Sequence, residues 1–130
     1  RRLAIASILV YDPHIIALDE ATAGIDFSLK MELLKILIDL VRKGKTVILA
    51  THDIEFLTYA PINRVIVLNN GEVVAQGPSR EILYNDIVLA KARITPPQIP
   101  TLINSIGIGR CIKPLNEKEL YLSIQSGIDE

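Results

Sequence analysis

The sequence has little cysteine, no excess of charge and no long apolar run, and each shortage excludes a class of protein. A single cysteine, Cys111, excludes an internal disulfide and fits a reducing compartment. A net charge of −1 gives no electrostatic reason to expect nucleic acid or an anionic membrane surface as a partner. The apolar run at residues 3–11 is well short of the roughly 18 residues that a membrane span needs. These absences predict a soluble chain.

The first residues are typical of the middle of a helix rather than its start. They carry no initiator Met, no N-cap and no signal-peptide pattern. The helix over residues 1–11 is expected to end at Asp12-Pro13, because a residue before proline avoids helical geometry. We therefore predict that the chain is a fragment of a longer protein. Its 130 residues still suffice for one domain with a sizeable core.

A short apolar stretch followed by two carboxylates is the most informative part of the chain. Residues 15–18 are too few for a stable helix, and they lead directly into Asp19 and Glu20. They predict a strand buried on both faces. The carboxyl ends of parallel strands are where open α/β sheets bind ligands. Adjacent carboxylates are costly there unless a cation or a proton is present, and Mg²⁺ with a phosphate ligand fits this need.

The elements that follow predict a parallel crossover unit. Asp26 or Ser28 can cap a helix that runs to about residue 43, and Gly44 supplies its end. Residues 46–50 form a second apolar strand, which is followed by Thr-His-Asp at 51–53. The apolar residues of the helix recur at helical spacing, at Leu29, Leu33, Ile36, Leu37, Leu40 and Val41.

The rest of the chain predicts a hairpin and short helices. Strands at residues 65–68 and 72–76 flank Asn70-Gly71, which is a strong signal for a tight turn. The expected helices are one capped by Asp53 before Pro61, one capped by Ser79 that reaches Tyr84, one at residues 101–106, and a last one whose capping box is Asn116 with Glu119.

Several motifs, in order, resemble those of ATP-binding-cassette (ABC) ATPases. Residues 18–26, LDEATAGID, are similar to the Walker B motif and D-loop, and residues 50–53, ATHD, to the switch histidine segment. Residues 2–6 resemble the helix after the family's signature sequence, and the hairpin with Gly-Pro-Ser at 77–79 resembles the closing part of the domain. Residues 93–99, RITPPQI, are similar to the tail of energy-coupling-factor ATPases, which drive uptake of vitamins and of cobalt or nickel.

The resemblance implies an α/β fold. Residues 1–84 would be the C-terminal half of a nucleotide-binding domain, with an incomplete parallel-sheet, P-loop NTPase-like (RecA-like) core and a C-terminal β-hairpin. Residues 85–130 would be a helical extension that contributes to dimer contact. The resemblance further implies ATP and Mg²⁺ as cofactors, a second ABC ATPase subunit in a homodimer or heterodimer, and a transmembrane permease as partner. It implies no nucleic-acid partner, and a cytoplasmic protein that is peripheral on the inner face of the cell membrane.

The resemblance also assigns roles to four residues. Asp19 would hold Mg²⁺ through water, and Glu20 would polarise the attacking water as general base. His52 would be the second catalytic residue and would hydrogen-bond the γ-phosphate. Asp26 would lie in the D-loop near the partner subunit and would join Asp19, Glu20 and His52 as a cofactor-binding residue. Ala21 stands where the family commonly has proline, which removes a rigid turn residue but no chemical group. Considered alone, the Asp-Glu pair is more typical of a helix cap with a solvated acid, and His52 is more typical of a turn residue that is hydrogen-bonded to backbone.

Two motifs of the family are missing from these 130 residues. There is no G-x-x-x-x-G-K-[ST] phosphate loop and no signature sequence. We therefore predict that the chain alone neither binds ATP tightly nor turns it over. The leading interpretation is a transporter ATPase. The alternatives are a soluble ABC ATPase of DNA repair or translation, and a truncated remnant without catalytic activity.

Overall fold

The computed structural model describes residue 7 and residues 10–108 and 112–128 of the chain. Most of the helix predicted at residues 1–11 lies outside the described residues, as does Cys111. The chain forms two compact units, Arg1–Asp53 and Ile54–Glu130. Each unit is built around its own pair of strands.

The first unit contains the predicted parallel crossover. Strand β1 (Ile15–Asp19) pairs in parallel with β2 (Thr46–Ala50), and helix α1 (Phe27–Arg42) connects them. The register places Ile15 opposite Thr46 and Asp19 opposite Ala50, so the two strands end side by side. This arrangement confirms the α/β fold with an incomplete parallel sheet.

Helix α1 covers one face of this sheet and leaves the other exposed. Ile16 and Leu18 are buried in a cluster with the α1 side chains Leu33, Leu37 and Leu40. Burial on both faces of β1 was expected and is wrong. Alternate residues of a strand point to opposite faces, and Ile15 and Ile48 on the open face are 63% and 56% exposed.

The ends of α1 agree with the local sequence signals. Asp26 is the N-cap, and its Oδ1 accepts a hydrogen bond from the backbone N–H of Leu29 at 2.9 Å. Gly44 follows the last turn with φ +80°, a left-handed conformation that glycine adopts at little cost. The predicted apolar stripe is wrong at Ile36 and Val41, which are exposed. Leu34, which the predicted stripe did not include, is buried.

The second unit contains the hairpin and the short helices. Strand β3 (Val65–Asn69) pairs antiparallel with β4 (Glu72–Gly77). Asn70 and Gly71 both have positive φ, +50° and +79°, as a type I′ turn requires, so the predicted hairpin is confirmed. The helices of this unit are α2 (Ile54–Tyr59), α3 (Ser79–Leu83), α4 (Asp86–Lys91), α5 (Gln98–Ser105) and α6 (Glu117–Ile128).

Two helices of this unit begin differently from the predictions, and a third helix was not predicted. Ser79 is the first residue of α3 rather than its cap, and its hydroxyl donates to the carbonyl of Ile62 at 3.1 Å. Helix α5 begins at Gln98 instead of residue 101, because its Pro100 lies in the first turn, where no intrahelical N–H bond is lost. Helix α4 was not predicted, although Asn85 caps it by accepting from the N–H of Val88 at 3.1 Å.

The last helix confirms half of the predicted capping box. Asn116 Oδ1 accepts from the backbone N–H of Glu119 at 3.1 Å. In a complete capping box, the Glu119 side chain would accept from the backbone N–H of Asn116. Here Glu119 Oε2 accepts instead from the backbone N–H of Leu115, at 2.9 Å. The same oxygen also pairs with Nη1 of Arg80 at 2.9 Å, which ties the start of α6 to α3.

Three hydrogen bonds attach the segment before α6, and its first residue, to the rest of this unit. The Tyr59 hydroxyl donates to Glu117 Oε2 at 2.5 Å, and the Tyr84 hydroxyl donates to the carbonyl of Pro114 at 2.6 Å. Asn116 Nδ2 donates to the carbonyl of Thr58 at 2.9 Å. The bond from Tyr59 lowers the pKa of Glu117. Burial, together with that carboxylate, raises the pKa of Tyr59 to about 12.

The variant Tyr59→Phe is expected to lower the free energy of unfolding by about 1 kcal/mol near pH 7, the usual size of one hydrogen bond. A lowered folded-state pKa of Glu117 stabilises the protein above the unfolded-state value near 4.3, and this contribution is lost as the pH falls through the folded-state pKa. The difference between the two proteins should therefore shrink at pH 3. Urea unfolding at both pH values measures it, with the exposed Tyr11→Phe as control. An equal difference at pH 3 and pH 7 would contradict the assigned contact.

Candidate functional site

The candidate site lies where β1 and β2 end side by side. The backbone N–H of Glu20 donates to the carbonyl of Ala50 at 2.9 Å, one residue beyond the last pair of the parallel ladder. Glu20 has φ +46°, in the left-handed region. That conformation costs a non-glycine residue about 1–3 kcal/mol and is concentrated at functional sites. The chain therefore turns sharply at the residue that the sequence singles out as a base.

Glu20 contacts the residue that follows β2 through both carboxylate oxygens. Its Oε1 accepts a hydrogen bond from the backbone N–H of His52 at 3.1 Å, and its Oε2 lies 2.8 Å from Nδ1 of the His52 imidazole. The first bond holds the carboxylate in place whatever the charge on the ring. The second contact is an ion pair only when the imidazole is protonated.

Glu20 Oε2 is a buried acceptor without a donor. Its surface is inaccessible, and within the described part of the chain no group donates a hydrogen bond to it. A buried carboxylate oxygen that lacks a donor costs about 1 kcal/mol or more. The His52 side chain is 81% exposed, which leaves the imidazole open to a ligand from solvent.

Asp19 and Asp26 occupy different positions around this contact. Asp19 is the last residue of β1, with an exposed side chain on the sheet face opposite α1. It places a second carboxylate next to Glu20 in the chain. Asp26 lies at the far end of the turn, and its carboxylate caps α1. The structure thus brings Glu20 and His52 into contact and uses Asp26 to start a helix.

The donors at the end of β1 fit Mg²⁺ bound with a phosphate ligand. Mg²⁺ keeps several waters and takes one or two protein carboxylates along with phosphate oxygens. Asp19, exposed at the end of β1, supplies one such carboxylate. Over residues 10–108 and 112–128, no group of three or more His, Cys, Asp or Glu side chains is gathered into a metal site.

Sequence reasoning did not predict two contacts around the site, which involve four further residues. Lys30 Nζ forms an ion pair with Asp53 Oδ2 at 2.5 Å. Thr22, only 1% exposed, has its hydroxyl 3.4 Å from that of Thr51. These pairs are 23 and 29 residues apart in the chain, so no local pattern could reveal them. The crossover topology alone brings them together.

The arrangement can accept a proton and donate to an anion at adjacent positions. The Glu20 carboxylate can take a proton from a water molecule. An exposed imidazole beside it can donate a hydrogen bond to an incoming oxyanion.

None of the helices that the structure describes combines the length and the apolar character that a membrane span needs.

Comparison with known proteins gives relatives that are named as ATP-binding proteins of transporters. The chain is 38% identical over 128 residues to the energy-coupling factor transporter ATP-binding protein EcfA of Methanococcus maripaludis, which covers 98% of this chain and 42% of that protein. It is 37% identical over 106 residues to EcfA2 of Mycoplasmopsis synoviae, covering 82% of this chain and 34% of the relative. No protein-family model matches the chain.

A solved structure is also similar. CbiO1 from Clostridium perfringens, described as part of the ABC transporter complex cbiONQ, aligns with a TM-score of 0.60 and 36% identity. The alignment covers 79% of this chain and 41% of that one. The chain therefore spans about two fifths of the length of the proteins that it resembles here.

Proposed function

We infer that the chain belongs to the ABC ATPases of the energy-coupling factor type, and from this premise we propose that it is part of a transporter subunit that hydrolyses ATP. The observation that carries the proposal is the contact between Glu20 and His52 at the ends of two parallel strands, with an oxygen of Glu20 buried and lacking a donor. The subunit would drive uptake of a metal ion or a vitamin.

Each residue of the site has a role in this proposal. The Glu20 carboxylate accepts the proton of the attacking water, while the bond from the His52 N–H to Oε1 keeps it oriented. The His52 imidazole donates to the γ-phosphate. Asp19 would hold Mg²⁺, which would supply positive charge beside the nucleotide phosphates. Asp26 orients the turn after β1, which faces the partner subunit.

The relatives favour a transporter over an ATPase of DNA repair or translation. Those described above are named as ATP-binding proteins of transporters or as part of a transporter complex. A net charge of −1 also gives no attraction to nucleic acid. We therefore propose a transmembrane permease and a second ABC ATPase subunit as partners, and a position at the cytoplasmic face of the membrane. Residues 85–130 contribute to dimer contact in this proposal.

These 130 residues contain the proposed base, metal ligand and switch histidine but neither the phosphate loop nor the signature sequence. In this proposal, residues outside these 130 bind the phosphates of the nucleotide, because the backbone amides and the lysine of a phosphate loop are absent from them. We propose that the chain by itself does not turn over ATP. All tests of hydrolysis therefore use the complete ATPase that contains these residues.

The variant Asp19→Asn is expected to raise the Mg²⁺ concentration at half-maximal ATPase activity by about 10- to 100-fold, the usual effect of losing a carboxylate that acts through a bound water. ATPase rates over a Mg²⁺ titration measure this shift. Asp39→Asn is the matched control, since Asp39 is an exposed residue of α1 whose side chain pairs only loosely with Arg42 at 3.5 Å. Equal Mg²⁺ dependence for Asp19→Asn and the unsubstituted protein would refute the metal role.

A further inference from the structure

We propose that Lys30 and Asp53 are positioning residues that hold His52 against Glu20. The consequence for hydrolysis rests on the proposed function, whereas the contact itself does not. Lys30 lies on α1, one turn after the Asp26 cap, and Asp53 directly follows His52 in the chain. Their ion pair thus ties the segment that carries the imidazole to the helix that begins after the turn at Glu20.

The pair has the properties of a structural contact rather than of a solvated one. Lys30 Nζ and Asp53 Oδ2 are 2.5 Å apart, and the two side chains are 25% and 18% exposed. Partial burial lowers the local dielectric and reduces screening by salt, so the attraction exceeds that of an exposed pair. The Arg42–Asp39 pair on the same helix is the contrast, with side chains 76% and 64% exposed.

A second contact braces the other side of His52. Thr51 Oγ1 accepts from the backbone N–H of Asp53 at 3.0 Å and lies 3.4 Å from the buried Thr22 hydroxyl. The residue before His52 is therefore linked to the turn after β1, and the residue after it is linked to α1. Between them, the His52 N–H donates to Glu20 at 3.1 Å.

The exposed imidazole needs this bracing from the backbone. The His52 side chain is 81% exposed, so packing contributes little to its position. Fixing the backbone on both sides limits the orientations of the ring and keeps its Nδ1 next to the Glu20 carboxylate. Precise placement of this kind governs rates at catalytic sites, where a small displacement is costly.

Amide hydrogen exchange on the 130-residue chain tests the proposal without nucleotide. In Lys30→Met, protection of the His52 amide is expected to fall about three- to fivefold, as for loss of a partly buried ion pair. Amides of β1 and β2 should keep their protection. Lys30→Arg preserves the charge and should restore the His52 value. Lys35→Met is the matched control, because Lys35 is an exposed residue of the same helix.

The outcomes separate positioning from simple stabilisation. Unchanged protection at His52, or an equal loss at His52 and throughout β1 and β2, would overturn the proposal. Asp53→Asn breaks the pair from the other side with little change in shape, and it provides the same test if Lys30→Met does not fold. In the complete ATPase, Lys30→Met should lower kcat several-fold and leave KM unchanged. A loss of protection without a change in kcat supports the positioning pair and counts against the catalytic role of His52.

Discussion

Glu20→Gln is expected to slow ATP hydrolysis by the complete ATPase about 10²- to 10⁴-fold, which corresponds to roughly 3–5 kcal/mol of barrier. The amide has nearly the shape of the carboxylate, and its oxygen can still accept the bond that the His52 N–H makes to Oε1. It cannot take a proton from water. The loss therefore falls on the chemical step and spares the binding of the nucleotide.

Two measurements on the same preparation test this expectation. Single-turnover hydrolysis reports the chemical step, and titration with a fluorescent ATP analogue reports binding. Glu81→Gln is the control, since Glu81 is an exposed residue of α3. Unchanged turnover in Glu20→Gln would remove the assigned base, and with it the main chemical argument for hydrolysis at this site.

Ile82→Ala is expected to lower the free energy of unfolding of the second unit by about 2–5 kcal/mol, the usual cost of deleting a buried isoleucine side chain beyond its first carbon. Ile82 on α3 is 7% exposed and packs in a cluster with Val67 of β3 and with Ala92, the residue that ends α4. Truncation leaves a cavity under the hairpin, because the two strands and helix α3 are all anchored on this cluster. The hairpin should then unfold at lower denaturant.

Urea unfolding followed by circular dichroism measures this loss. Ile87→Ala is the matched control, because Ile87 on the neighbouring helix α4 is 82% exposed and surface substitutions usually change stability by less than about 0.5 kcal/mol. Similar midpoints for Ile82→Ala and Ile87→Ala would mean that the cluster around Ile82 does not support the unit.

The features that sequence reasoning predicted correctly are formed by residues that are close together in the chain. The Asp26 cap and the Asn70-Gly71 turn work within a few residues, through one side-chain hydrogen bond and through two positive φ angles. The helix α4 was missed although its cap, Asn85, is just as local. Its six residues are too short to show a clear apolar period.

The position of the site followed from topology and chemistry together. Two parallel strands that end in carboxylates and in Thr-His-Asp must place those residues at one edge of a sheet, so the meeting of Glu20 with His52 was predictable in outline. The open face of the sheet was not predictable, because strands rich in apolar residues are typical of sheets covered on both sides. The roles of Asp19, Glu20, Asp26 and His52 stay predictions until variants are measured.

By itself the sequence determined the parallel crossover, the Asp26 cap, the Asn70-Gly71 turn, and the two acidic residues and the histidine that follow the strands, because each depends on short-range geometry and chemical type. Only the tertiary structure decided that one oxygen of Glu20 contacts the His52 backbone N–H and the other the His52 ring. It also decided that Glu20 has a left-handed backbone conformation and that Lys30 forms an ion pair with Asp53. Contacts between residues more than 20 positions apart depend on how α1 packs across the sheet, and no local pattern of residues records that packing.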